Sequence, residues 1–285
     1  MNNRIRRIMK CTGAVLLLIM ICIVSAGCGS ASKWKYDPIT DLNDLEGRRV
    51  GVNLSWEADY YLNGRKDLKL VRYDTSADLV MALKYDKIDV IATDEDMVRL
   101  LMSSSTGLEV VEPAFAKIGS IMYFGSDDEA LAEDFNKFLA EFKKTDEYKD
   151  FVKRQKEFNG QDYIGPDIPL TGTGKTLRIS ADPNNFPRIV KNPGEDDLTG
   201  FDLEILKHYA NDRNYRLEIA ESNYNDGVMG LQSGNYDILT GYVSDVYGDE
   251  VKNIGLYVCD PMFYFDLYYI QKNQADITAV TDYLD

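Results

Sequence analysis

The stretch Pro169-Leu-Thr-Gly-Thr-Gly-Lys-Thr176 closes on Gly174-Lys175-Thr176, the ending of a phosphate-binding loop. Such a loop needs G-x-x-x-x-G-K-[ST] and a helix directly behind it, whose free amides help to hold the phosphates. Here Pro169 stands where the first glycine belongs, and Thr176 to Ala181 alternates apolar and polar residues as a strand does. The segment reads as a Gly/Thr connector, and the chain is expected to use no ATP itself. Nucleophilic and metal chemistry are as thinly supplied. The single histidine, His208, lies on an amphipathic helical pattern from Gly200 to Ala210 and is expected to be exposed. Cys11, Cys22 and Cys28 belong to or end an N-terminal leader. Cys259 is then alone, which excludes a disulfide framework or a cysteine metal site within one mature chain. No spacing among the 47 acids singles out an acid/base pair. The expectation is a protein without catalytic residues, cofactor or metal.

The leader has its own logic. Arg4, Arg6, Arg7 and Lys10 precede an apolar run from Ala14 to Val24, and Ser25-Ala26-Gly27 leads to Cys28. That is a secretory signal, too short for a membrane-spanning helix. Its end resembles a bacterial lipobox, which implies cleavage after residue 27, a lipid on Cys28, and a tether over 28–38. The expected location is the extracytoplasmic face of the cell membrane. Taking the leader's four positive charges from a net charge of −15 gives −19. Such a chain is unsuited to nucleic acid, which is bound by neutralising phosphates. The 258 residues that remain of 285 suffice for two lobes with their own cores.

Internal similarity supplies those lobes. Asp78-Leu-Val-Met-Ala-Leu83 matches Asp226-Gly-Val-Met-Gly-Leu231 at an offset of 148, and Asp89-Val-Ile91 falls on Asp237-Ile-Leu239 in the same register. Each block reads strand, short helix, strand: 68–73 to 88–93, and 216–220 to 236–241. That is the βαβ unit of an open, largely parallel sheet. Arg49–Val52 and Leu177–Ser180 supply a first strand to each half. Between the halves, Ser126-Asp-Asp-Glu129 reads as a capping box. Leu131, Phe135, Phe138, Leu139 and Phe142 then form one helical stripe, continued by Tyr148, Phe151 and Val152. Residues 159–176, rich in Gly, Pro and Thr, read as a linker.

Several of these segments resemble family 3 extracellular solute-binding proteins. Lys175-Thr-Leu-Arg-Ile-Ser-Ala-Asp182, Leu198-Thr-Gly-Phe-Asp-Leu203, Leu231-Gln-Ser-Gly-Asn-Tyr-Asp-Ile238 and Cys259-Asp-Pro-Met-Phe-Tyr264 are similar to that family's first lobe. Leu42-Asn-Asp-Leu-Glu-Gly-Arg-Arg-Val-Gly-Val52, Tyr73-Asp, Ile88-Asp-Val-Ile-Ala-Thr-Asp-Glu95 and the 138–154 helices resemble its second lobe and C-terminal helix. The resemblance implies an α/β fold of two similar open-sheet lobes joined by a hinge, periplasmic binding protein-like II. The order is inverted, with the second-lobe half at 39–117 and the first-lobe half at 177–262. Crossovers fall at 118–127 and 263–272, packing helices at 128–158, and a tail at 273–285. The tail from Ile277 echoes the stretch that begins at Ile39. Two origins fit that order: a circular permutant whose old termini are joined through 159–176, or a truncated tandem array.

In open α/β sheets ligands bind beyond the C-terminal strand ends. One half thereby nominates Asp182, Asn185, Phe186, Arg188, Tyr224, Tyr242 and Ser244, and the other Asn53, Ser55, Trp56 and Asp94. Ser55 is expected to cap a helix near Trp56 and to aim its amides at an anion. The resemblance implies that Asp94 pairs with a ligand ammonium. It also implies a carboxylate-binding arginine after Gly241, yet the chain reads Gly241-Tyr-Val-Ser-Asp-Val-Tyr-Gly-Asp-Glu250 there. Arg188 and Lys252 are the two candidates left for that role. The implied function is a lipid-anchored, monomeric receptor that passes an amino acid or related small molecule to an ABC-type permease. A ligand-sensing lipoprotein, a dehydratase-like enzyme and a ligand-free degenerate copy stand as alternatives on the same fold.

Overall fold

Val50, Gly51 and Val52 make an apolar run with its smallest residue at the centre, which suits a strand covered on both faces. β1 (Arg49–Asn53) is that strand, buried from Val50 onward. A computed structural model of the chain describes residues 38–105, 107–158, 163–183, 185–192, 194, 197–241 and 244–273. The leader with Cys28, residues 159–162 of the linker, Tyr242, and residues 274–285 lie outside the described residues. β1 pairs in parallel with β2 (Lys69–Tyr73) and with β3 (Val90–Asp94). The connections are α1 (Glu57–Leu62) and α2 (Ser76–Lys84), the latter capped by the Thr75 side chain on the Asp78 amide. After β3 come α3 (Glu95–Ser104) and β4 (Leu108–Ser120).

The second sheet repeats the plan. β6 (Thr176–Ala181) pairs in parallel with β9 (Arg216–Glu221) and β10 (Ile238–Thr240), while β7 (Val190–Lys191) and β8 (Leu198–Thr199) pair only with each other. Its helices are α6 (Phe201–Asp212) and α7 (Tyr224–Gln232), after the α4 (Glu129–Phe142) and α5 (Asp146–Glu157) that precede the linker. α7 is capped by Asn223 on the Asp226 amide, as Thr75 caps α2.

Each sheet holds one strand from the other half of the chain. β12 (Phe263–Lys272) lies antiparallel between β3 and β4, giving the order β2-β1-β3-β12-β4. β5 (Tyr123–Phe124) lies antiparallel between β10 and β11 (Tyr257–Val258), giving β9-β6-β10-β5-β11. Both orders are second, first, third, borrowed, fourth. The chain passes between sheets at Ile121–Met122 and again at Cys259–Met262.

One aspartate locks each sheet in the same way, Asp237 buried and Asp89 half-buried. Asp89 accepts from the backbone amide of Arg49 at 2.7 Å and from its guanidinium, whose Nη1 also reaches the Asp86 carbonyl. Asp237 accepts from the Arg178 amide at 2.7 Å and from its guanidinium, whose Nη1 reaches the Gly234 carbonyl. Each aspartate thus fixes the start of a first strand to the start of a third through charge-assisted hydrogen bonds.

Two sequence expectations change here. Ser126 does not open α4; Asp128 precedes the helix, and no side chain caps it. The stripe it introduces is core: Phe135, Phe138, Leu139 and Phe142 are buried, with Tyr209 of α6 against Phe135 and Phe138. α6 is not amphipathic in the expected sense, because Phe201 through Leu206, Tyr209 and Ala210 are all buried between the sheet and the preceding helices. His208 is accordingly half-buried against the Phe142 ring at 4.7 Å instead of exposed, and burial lowers its pKa. Among the described residues no helix is long and apolar enough to cross a membrane.

Candidate interlobe binding site

The parallel strands of both sheets end at one cavity of about 620 Å³. From the first sheet, the turn after β1 brings Leu54 to Glu57 and Tyr60, while the β3–α3 junction brings Asp94, Asp96, Met97 and Leu100. From the second, the loop after β6 brings Asn185, Phe186 and Arg188, the start of α7 brings Tyr224, and the segment after β10 brings Tyr247 and Glu250. Several contacts bridge these walls. The Tyr247 hydroxyl donates to the Ser55 carbonyl at 3.0 Å, and its ring meets that of Tyr60 edge-on at 4.9 Å.

Arg188 is the only cation among these residues, and it is 4 % exposed. Its guanidinium lies over the Phe265 ring at 4.2 Å. Nη1 stands 3.8 Å from Glu57 Oε1, beyond hydrogen-bond reach, and has no hydrogen-bond partner. Burial works against the Arg188 charge, but Glu57, Asp202, Asp96 and Asp94 outweigh it and hold the guanidinium above its ordinary pKa. The loop that carries Arg188 is fixed by Gly200. At φ 127 this glycine occupies backbone space few side chains tolerate, and a Cβ there would collide with the Arg188 carbonyl.

The acids respond to crowding. Burial, then the neighbouring Asp94 charge, push Asp96 up to about 7, with Arg188 and Arg99 pulling the other way. Burial raises Glu57 as well, Arg188 reverses only part of this, and Asp94 adds to it. Asp94 caps α3 through Oδ1, which accepts the Asp96 and Met97 amides at 3.0 Å. Behind Arg188, burial pushes Asp202 up to about 6, against the pull of Arg188 and of the Thr240 hydroxyl at 2.7 Å.

Ser55, Trp56, Asp94, Asn185, Phe186, Arg188 and Tyr224, nominated from strand ends, line this cavity. Asn53, Asp182 and Ser244 are buried behind it, and Tyr242 lies outside the described residues. Asn53 shapes the turn, its carbonyl accepting the Trp56 amide and its side chain the Ser76 hydroxyl. Ser244 forms a bridge with Ser120. Ser55 does not cap α1. Its φ is 63°, its amide donates to Asp59, and Trp56 holds the cap position without a side-chain bond. Lys252 is exposed and does not line the cavity. Sequence reasoning missed Glu57, Tyr60, Asp96, Tyr247 and Glu250. Tyr60 follows Trp56 by one helical turn, Glu57 follows it directly, and Asp96 follows Asp94 by two residues, so extending the loops after β1 and β3 by one helical turn finds these three. No group of three or more His, Cys, Asp or Glu suited to a metal occurs among the described residues.

Two open sheets of equal strand order, each holding a strand from the other half and meeting at one cavity, define a two-lobed α/β protein. This is the architecture of two similar open-sheet lobes expected from the sequence. No family model and no curated protein matches the sequence. Solved structures do match. One is an ancestral amino-acid-binding protein described as a precursor of cyclohexadienyl dehydratase, 10% identical over 81% of this chain and 83% of that one, TM-score 0.38. Another is a probable amino-acid ABC transporter extracellular-binding protein from Bacillus subtilis, 12% identical over 83% and 88%, TM-score 0.41. A third is a phosphate-binding protein of a phosphate ABC transporter from Streptococcus pneumoniae, 11% identical over 82% and 93%, TM-score 0.40. At these identities and TM-scores the chemistry of the cavity is left to its own residues.

Proposed function

We propose that this chain is an extracytoplasmic solute-binding protein, held to the membrane by lipid on Cys28, that encloses a small polar molecule between its lobes. The observation that carries the reading is the Arg188 Nη1: buried, unbonded and in the wall of a cavity lined from both lobes. A buried donor without a partner costs stability, and a ligand acceptor recovers it. Closure about the two interlobe passages, near Ile121 and Pro261, would hand the solute to an ABC-type permease. A thermal-shift screen of the purified protein against amino acids, amines, small acids and peptides tests the reading. A ligand at about a hundredfold its Kd adds about 2.7 kcal/mol, so a true ligand gives a plain rise in melting temperature. Absence of any shift across all four classes refutes solute binding.

We further propose that the inverted order of halves is that of a circular permutant. One chain contains both borrowed strands, so each sheet has its full order without a second molecule. Light scattering should find a compact monomer; an obligate oligomer or an expanded chain refutes permutation in favour of a truncated tandem.

A further inference from the structure

The charge and aromatic content of the cavity narrow what it takes. Four carboxylates and five aromatic rings face one guanidinium. A neutral zwitterion would leave that surplus of negative charge as it is, and an anion would add to it. Little inside the cavity offsets the surplus. Asp96 has Arg99 at 2.9 Å, but Arg99 is shared with Glu95 at 3.0 Å. Glu57 has only the distant Arg188 contact described above, and Asp94 spends one oxygen on helix amides. Glu250 faces the Tyr60 hydroxyl, an uncharged partner. The rings supply the other half of a cation site. Trp56 and Phe186 stand partly exposed on opposite walls, and a positive charge over an aromatic face is attracted by its quadrupole.

Resting on the solute-binding reading, the geometry points to an organic cation of net positive charge as the ligand. Its ammonium, alkylated ammonium or guanidinium group lies among the rings and acids, and an oxygen acceptor on the same molecule meets Arg188. Glu57 is the pivotal acid, because it is the one that faces Arg188 across the cavity and a bound cation takes its place there. Arg188 is then free to turn its unused hydrogen to the solute's oxygen.

Isothermal titration of the full-length chain tests this with choline, ethanolamine, L-ornithine, L-arginine and L-lysine against L-leucine and succinate. The expected result is saturable binding of at least one cation, with leucine and succinate bound at least a hundredfold more weakly. Glu57→Gln should weaken the bound cation tenfold or more, and a melting curve of that variant shows whether it is folded. If the variant does not fold, the wild-type ranking decides alone. Leucine or succinate binding in preference to every cation overturns the charge assignment and leaves solute binding standing. Failure of all seven probes overturns the assignment, and the broader thermal-shift screen then decides whether solute binding falls with it.

Discussion

Asp202→Asn puts the balance of charges behind the cavity to a numerical test. Asp202 is 1 % exposed and accepts a hydrogen bond from Thr240. Burial raises its pKa from an ordinary 3.8 to about 6. Between those values the folded chain keeps a proton that the unfolded chain has lost. Stability from this group is therefore fully present below about pH 4 and is lost as pH rises through about 6. The rise corresponds to about 3 kcal/mol as an upper limit. Asparagine keeps the acceptor for Thr240 and carries no charge at any pH. The variant should match wild type near pH 4 and exceed it above pH 7 by up to about 3 kcal/mol. Urea denaturation followed by circular dichroism at pH 4.5, 6 and 7.5 measures the difference, and the titration of all other acids cancels between the two proteins. The opposing effect is the loss of one counter-charge to Arg188, which retains Glu57 at 3.8 Å. Breaking a buried ion pair can cost 3–5 kcal/mol. A variant less stable than wild type at pH 7.5 would mean that the pairing outweighs the burial, and the reasoning fails.

Asp89→Ala and Asp237→Ala should each cost about 2–3 kcal/mol in urea denaturation, because each removes the acceptor of several charge-assisted bonds. Costs differing severalfold would show that the two locks are not equivalent. The Cys259 thiol is buried, accepts the Met122 amide at 3.1 Å and is pushed by burial up to about 12. At pH 8 its peptide should stay unalkylated by mass spectrometry until the protein is unfolded; rapid native labelling contradicts the packing. Tyr247→Phe removes the hydrogen bond to the Ser55 carbonyl across the cavity mouth, worth about 1 kcal/mol. A larger radius of gyration in small-angle scattering is expected for the ligand-free variant, and an unchanged one argues against a latch.

The two-lobed α/β class was legible because repeated βαβ segments leave a repeated pattern: an apolar first strand, a capped short helix, and an aspartate before the third strand. The borrowed strands were harder. β5 is two residues long and β12 carries mixed polarity, so neither announces its sheet. Residues nominated from strand ends reach the cavity wall where the backbone leaves the sheet straight into it, as at Asp94 and Arg188. They do not reach it where the turn folds back on itself, as at Asn53, whose side chain is used by Ser76. The Ser55 expectation failed for a conformational reason, since a residue at φ 63° cannot hold an extended cap position. Tyr247 lay beyond the reach of pattern, because its significance arises only when the opposing lobe is brought against it.

The borrowed strand β12 also governs the order in which the protein can be finished. β3 and β4 are made early, but the slot between them is filled by residues 263–272, the last described strand. Until those residues emerge, the half made first carries two unpaired edges, while β5 is already waiting for a half not yet synthesised. The lobe begun first therefore cannot be finished ahead of the second. The half translated first is the half whose sheet closes last.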